Sequence, residues 1–340
     1  MKKGVVCQDF SDSYSDNKVK IVAISDGHGS PQYFRSDRGA RFAVEAAIQC
    51  LREFADGFSK NGEDGKFPLA YLFDKQRQTQ LITQLCKSIL SKWYTSVEKD
   101  YDENPFNGAD LNGLEDKYVN RYRSGNYVSA YGATLIAALI TDSFWMAIQI
   151  GDGKFIFVDS ECKCCQPVPW DEDCFGAVTT SICQNDALER FRYYISSEMP
   201  MALCLGSDGV DDTYGDGEIL NTFYKQLILE FVDSGFDNAA MEIEALLPDI
   251  TEKGSHDDIS IGLVFDGNMI KNKHELLEKQ IAIVKLKEEI DRLEDRIKRY
   301  ERKLIIKKNT EDEMLLQHEI DELKSIVDLK YSQFNDISVM

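Results

Sequence analysis

Past Gly267 this 340-residue chain has neither glycine nor proline. Lysine, glutamate, leucine and isoleucine take over. Ile283, Leu286, Ile290, Leu293, Ile297, Tyr300 and Leu304 step by alternating threes and fours. That is the a/d seam of a heptad repeat, and it specifies a long helix with one apolar stripe. A second seam, Leu316, Ile320, Leu323 and Val327, is out of phase with the first. Between them Asn309 fits a left-handed helix stop, and Thr310 with Glu313 fits a capping box. The pattern predicts two antiparallel helices folded back as a coiled-coil hairpin over residues 272–334. Its rival is one continuous helix with a stutter, dimerising in parallel. Either way the seam requires burial, so residues 276–330 are expected to engage a protein partner or to self-associate.

Residues 1–267 read as a globular domain, with apolar runs separated by glycine-bearing turns. Val19–Ser25, Gly132–Ile140, Phe144–Ile150, Lys154–Val158, Pro200–Gly206 and Ile259–Phe265 have the short β-branched or apolar character of buried strands. Arg38–Phe58, Asp74–Glu98, Glu218–Val232 and Ala239–Leu247 carry apolar residues at helical spacing. The acidic, Asn- and Gly-rich stretch Asp100–Ser124 reads as a long loop. Strands and helices come in blocks rather than in strict alternation, which points to an α+β fold with antiparallel sheets.

Charge narrows the function classes. Asp and Glu number 59 against 39 Lys and Arg, a net charge of −20. Such a chain repels phosphate backbones and anionic lipid, so neither nucleic acid nor a membrane surface is an expected partner. No apolar run reaches the roughly 18 residues of a membrane span. Nine cysteines, an odd number spread through the chain, read as reduced thiols in a cytoplasmic protein. Cys162, Cys164, Cys165, Cys174 and Cys183 cluster without the two Cys-x-x-Cys pairs of a zinc site.

The chemistry lies in how aspartates end the apolar runs. Val19–Ser25 leads into Asp26-Gly27-His28-Gly29, Phe144–Ile150 into Gly151-Asp152-Gly153, and Pro200–Gly206 into Ser207-Asp208-Gly209. Asp257-Asp258 precedes Ile259–Phe265, and Asp9 lies near the N-terminus. Any one Asp-Gly is more often a turn than a ligand. As a set, acids at strand ends repel one another unless a cation compensates, and hard divalent cations take oxygen ligands of this kind. Mg²⁺ or Mn²⁺ is the expected cofactor. Of the four histidines, His28 stands between two glycines beside a candidate ligand. Imidazole is a poor match for Mg²⁺, so His28 reads as a proton donor rather than a ligand. His274 and His318 lie in the helical extension and read as solvated.

In order, Gln8-Asp9, Asp26-Gly27-His28-Gly29, Gly132-Ala133-Thr134-Leu135, Gly151-Asp152-Gly153-Lys154, Ser207-Asp208-Gly209 and Asp257-Asp258-Ile259-Ser260 resemble the motif series of the metal-dependent (PPM, type 2C) serine/threonine protein phosphatases, over about residues 4–266. The resemblance implies a β-sandwich of two antiparallel sheets flanked by helices, with metals at one end. It implies that Asp26 bridges two ions about 3.5–4 Å apart. The Gly27 carbonyl and Asp9 would serve one ion, and Asp208 and Asp257 the other. Asp152, with Asp208, would hold a third, weaker ion. A water between the two ions would attack phosphorus in line, without a phosphoenzyme, and His28 would protonate the leaving oxygen. The expected partners are a phosphorylated protein substrate and a cognate Ser/Thr kinase. The family's phosphate-holding arginine falls here at Gly4, where Lys3 could hold phosphate only as a point charge. That departure keeps an alternative in view, a weak or inactive phosphatase-like module that binds phosphoproteins and signals through its coiled coil.

Overall fold

The computed structural model describes residues 6–175, 178–306 and 311–339. Lys3, and the Asn309 and Thr310 of the expected helix stop, lie outside them. Two strands open the chain, β1 (Phe10–Ser15) and β2 (Val19–Ser25), followed by the helix α1 (Ser36–Asp56). A short parallel pair, β3 (Phe58–Ser59) and β4 (Phe67–Pro68), leads to α2 (Lys75–Glu103) and α3 (Asp116–Arg123). Then come β5 (Leu135–Thr141), β6 (Trp145–Ile150), β7 (Lys154–Val158) and β8 (Cys164–Cys165), the short α4 (Ala187–Arg190), β9 (Arg192–Ser196) and β10 (Ala202–Gly206). Helices α5 (Asp208–Tyr214), α6 (Glu218–Asp233) and α7 (Phe236–Lys253) precede β11 (Ile261–Phe265). The C-terminal part is helical throughout: α8 (Gly267–Asn272), α9 (His274–Ile306) and α10 (Glu311–Val339).

The strands form two antiparallel sheets, β1-β2-β5-β6-β9 and β11-β10-β7-β8. Successive strand residues point to opposite faces. Val22 and Ile24 therefore turn into the space between the sheets, with Ile136, Trp145, Phe155, Phe157, Leu203 and Leu205. Ile21 and Ala23 turn outward against α1 and α2, with Ala43, Ala47, Ile89 and Trp93. On the far side Ile156, Ala202 and Cys204 meet Phe223, Tyr224 and Leu227 of α6. Both faces of each central strand are covered, which is why these strands read as unbroken apolar runs rather than alternating ones.

Register carries the functional consequence. Ile24 pairs with Ile136, Leu135 with Ile150, and Gly206 with both Lys154 and Ile261. Phe10 pairs with Ser25. The end of β2, the start of β5, the end of β6, the start of β7, the end of β10 and the start of β11 thus share one end of the sandwich. Every aspartate-bearing turn is brought there by antiparallel pairing alone. The Gly151–Gly153 turn is not a hairpin between paired neighbours; it carries the chain from one sheet to the other.

Several elements differ from expectation. The stretch Asp100–Ser124 is not one loop, because its first residues finish α2 and its end forms α3. Aromatic packing overrides the polar composition: Tyr122 is buried, and its ring lies 5.5 Å from those of Phe34 and Phe106. β1 escapes notice because its alternate residues are Ser and Asp. Asp208 opens a helix rather than a simple turn.

The extension begins inside the globular core. Leu277 and Ile281 of α9 are buried with Leu220, Phe223 and Leu227 of α6. His274, expected to be solvated, bridges Asp233 of α6 (2.8 Å) and Glu278 (3.3 Å). Further out, Ile290 and Ile297 of α9 close on Ile320, Leu323 and Val327 of α10. Glu301 meets Lys324 at 2.9 Å and Glu294 meets Tyr331 at 2.8 Å, so the two helices run antiparallel. The seam is thereby buried within the chain. Among the described residues no helix is long and apolar enough to cross a membrane. Because Leu277 is completely buried against α6, Leu277→Ala should destabilise the globular part by about 2–5 kcal/mol in urea unfolding. A loss below about 0.5 kcal/mol would show that α9 is dispensable to that core.

Candidate functional site

The backbone of Asp26 is pinned on both sides by one residue. Its N–H donates to Thr134 Oγ1 (3.0 Å), and its carbonyl accepts from the Thr134 N–H (2.8 Å). Gly27 pairs with Ala133 and leaves no room for a side chain: a β-carbon there would lie 2.5 Å from the Gln8 carbonyl oxygen. Across the site, the Ser207 N–H donates to the Ser260 carbonyl (3.0 Å), and the Ser260 N–H donates to Ser207 Oγ (2.9 Å). A β-carbon on Gly209 would lie 2.3 Å from the Asp258 carbonyl oxygen. Glycine at these two positions lets four chain segments approach more closely than side chains would permit.

These contacts bring carboxylate oxygens of Asp26, Asp152 and Asp208 within 4.8 Å of one another. Asp257 lines the same cleft, about 480 Å³ in volume, together with His28, Tyr33, Thr179 and Gln184. Asp9 lies beside Asp26. Both of its carboxylate oxygens are buried without a hydrogen-bond partner, and so is one oxygen of Asp152. Asp258 is engaged elsewhere, its carboxylate accepting the Gln8 N–H at 2.7 Å. The Gln8 side-chain amide donates to the His28 carbonyl (3.2 Å) and to Ser36 Oγ (2.6 Å). Gln8 and Asp258 together fasten the Asp9 segment to the cleft. His28 stacks edge-on to Tyr33 at 4.7 Å.

The electrostatics are those of unbalanced charge. Burial pushes the Asp9 carboxyl up to about 6; the Ser207 and Ser260 hydroxyls nearby, which do not reach hydrogen-bond geometry, oppose the rise, and the Asp258 charge adds to it. Burial, then Asp9 and Asp208, raise Asp26 well above the usual carboxylate range. Asp208 is pushed up to about 8 by burial and then by Asp152 and Asp257. Its place in the first turn of α5 favours the anion by at most about 2 kcal/mol, too little to cancel burial. Asp152 is raised as well, chiefly by burial. Burial lowers His28 to about 4, so its imidazole is neutral at pH 7 in the free protein. No lysine or arginine is among the described residues lining the cleft. Lys154, adjacent in sequence to the Asp152 turn, points away to Asp216 (3.0 Å) and Asp211 (3.6 Å), with its ammonium over the Trp170 ring. Clustered hard oxygens, three of them buried and unpaired, with Arg192 reaching only the backbone behind the Asp152 turn, fit hard divalent cations.

The structure thus brings Asp9, Asp26, Gly27, His28, Asp152, Asp208 and Asp257 to one place; Lys3 lies outside the described residues. Thr134, part of a motif visible in the sequence, proves to be the clamp on Asp26. Tyr33, Thr179 and Gln184 give no sequence signal. They reach the cleft from irregular segments that only the tertiary fold places.

Among proteins of known structure, similar chains include a bacterial serine phosphatase at 14% identity, covering 78% of this chain and 95% of that one with a TM-score of 0.47. The serine/threonine phosphatase Stp1 from Staphylococcus aureus is 13% identical, with 78% and 91% covered and a TM-score of 0.46. The serine/threonine phosphatase PstP/Ppp from Mycobacterium tuberculosis is 14% identical, with 76% and 91% covered and a TM-score of 0.41. No curated protein sequence matches. The family described as Protein phosphatase 2C matches residues 1–247, well over half the chain, and to that family this protein belongs.

Proposed function

We propose that this protein is a Mn²⁺- or Mg²⁺-dependent protein phosphatase that hydrolyses phosphoserine and phosphothreonine without a phosphoenzyme. The observation that carries the reading is the approach of Asp26, Asp152 and Asp208 in one cleft, with the buried, unpartnered Asp9 carboxylate beside them. Asp26 and the Gly27 carbonyl, with Asp9, Asp208 and Asp257, would hold two ions, and Asp152 with Asp208 a third. When bound, such ions lower the pKa of a coordinated water so that it can attack phosphorus near neutral pH. The chain's own residues do the rest. Thr134 holds Asp26 in place, and Gln8 ties the Asp9 segment to the His28 loop. His28 donates the proton to the leaving seryl or threonyl oxygen; a phosphoryl dianion entering the cleft would favour its cationic form against the burial that lowers its pKa. Lys3 would assist as a point charge on phosphate.

The reading includes a phosphorylated protein as substrate, a Ser/Thr kinase that generates it, a cytoplasmic setting, and a partner or second copy on the faces of residues 276–330 that lie outside the closed seam. One observation favours a second reading. The absence of arginine and lysine from the described cleft lining suits a phosphatase-like module that binds phosphoprotein with little or no turnover. Tight Mn²⁺ binding by calorimetry, with no release of phosphate from any phosphopeptide, would select it.

Excess chelator should abolish phosphate release, and so should Asp208→Asn with the fold kept by circular dichroism. Full turnover in chelator would remove the metal-dependent mechanism. The metal-free protein should also respond to pH. Asp9 and Asp208 have folded pKa values of about 6 and about 8, above the ~3.9 of an unfolded aspartate. The folded state therefore holds protons that the unfolded state has released, and stability is full below pH ~4 and lost as pH rises through 6 to 8. In chelator the Tm should fall between pH 5 and pH 8.5. Asp208→Asn should flatten that fall, and Mn²⁺ should oppose it. A Tm that rises over this range would contradict the arrangement. For His28→Gln, kcat on a phosphopeptide should drop about 10²–10⁴-fold. On p-nitrophenyl phosphate, whose leaving group needs no proton, it should drop far less. Equal losses on both substrates would exclude proton donation by His28.

A further inference from the structure

Behind the Asp152 turn lies a closed polar ring that the mechanism does not use. The Gly151 N–H donates to Thr180 Oγ1 at 3.0 Å, and Thr180 Oγ1 donates to Asp171 Oδ2 at 2.8 Å. The same Asp171 oxygen lies 3.7 Å from Arg192 Nε, an ion-pair contact; that buried nitrogen makes no hydrogen bond, so charge alone joins the ring on this side. Arg192 closes the ring by donating from Nη2 to the Gly151 carbonyl, and from Nη1 it reaches the Pro169 carbonyl at 2.9 Å. Thr180 and Asp171 are both buried. The Gln149 side-chain amide adds bonds to the Gly151 carbonyl (3.3 Å) and the Gly153 carbonyl (2.6 Å), the two residues that flank Asp152. Thr180 is preceded by Thr179, which lines the cleft, and followed closely by Gln184, which also lines it.

Such an array costs free energy to desolvate unless its members are satisfied together, so it stands or falls as a unit. We infer that Arg192, Asp171 and Thr180 are positioning residues: their ring locks the cleft wall around Thr179–Gln184 onto the Gly151–Gly153 turn and so fixes Asp152 relative to Asp26 and Asp208. Where this concerns metal it rests on the function proposed above; as a mechanical lock it does not. None of the three touches the cleft directly. Thr180 and Arg192 act on Asp152 through the Gly151 backbone that precedes it, Asp171 acts through those two, and partners of that kind typically change metal affinity 10–100-fold when removed.

Thr180 gives the cleanest test, because serine keeps the hydroxyl while valine keeps only the shape. In the full-length chain, Thr180→Val should weaken the weakest Mn²⁺-binding event seen by calorimetry about 10–100-fold. It should also speed hydrogen exchange in peptides covering 149–153 and 178–184. Thr180→Ser should leave both close to the unsubstituted protein. Should Thr180→Val fail to fold, Asp171→Asn keeps the side-chain shape while removing the charge that faces Arg192, and it should shift both readouts the same way by a smaller factor. Valine matching the unsubstituted chain in both measurements would overturn the lock, and so would serine proving as damaging as valine. If the unsubstituted chain takes up no Mn²⁺, the proposed function falls, and exchange alone judges the lock. Faster exchange in the valine variant only would support it, and unchanged rates would overturn it.

Discussion

Carboxyl groups are crowded at one end of this sandwich against their own repulsion. Nothing local to any single Asp-Gly turn would choose the arrangement. It follows from strand pairing: once Ile24 pairs with Ile136 and Gly206 with Lys154 and Ile261, the acids have no other end to go to. The apolar interior between the sheets, with Trp145 stacked on Phe157 at 5.2 Å, supplies the cohesion that holds the charges together. In the free protein the strain is relieved in part by protons, which is the meaning of the raised Asp26 and Asp208. A hard cation offers the other relief. The same burial would give the site both an affinity for a hard cation and a cost without one.

The fold was legible wherever burial is two-sided or periodic. β2, β5, β6, β7 and β10 announce themselves by unbroken apolar runs, and α9 by its heptad steps. β1 was hidden because it lies at a sheet edge, where Ser11, Asp12 and Ser13 can face water. α3 was hidden because Tyr118 and Tyr122 are held by aromatic partners distant in sequence rather than by helix propensity. Of the candidate site, Asp26, Asp152 and Asp208 could be read from their place after apolar runs and Asp257 from its place before one, while Asp9 was legible only through the motif series. Asp258 could be read only in part. Its charge does lie near the cleft and raises Asp9, but its carboxylate is also a hydrogen-bond acceptor for Gln8, 250 residues away. Long-range partners of that sort leave no trace in composition or spacing.

Small polar groups matter here out of proportion to their size. Thr134, Ser207 and Thr180 each use a hydroxyl to join two turns that carry or flank an aspartate. Each bond contributes about 1 kcal/mol on its own, a modest share of stability. Their effect on geometry is larger, because a displacement of about 1 Å at a reacting group can cost a hundredfold in rate.

The root of α9 sits among α6 side chains, and neither glycine nor proline interrupts its 33 residues. It is a stiff spar about 50 Å long, with no joint at which to bend. A sideways push on its outer end would be delivered to the Leu277 socket rather than absorbed on the way. α6 lines that socket, and it follows directly after the short helix that starts at Asp208. The helix that receives a load on the spar is thus the next one along the chain from the helix that carries Asp208.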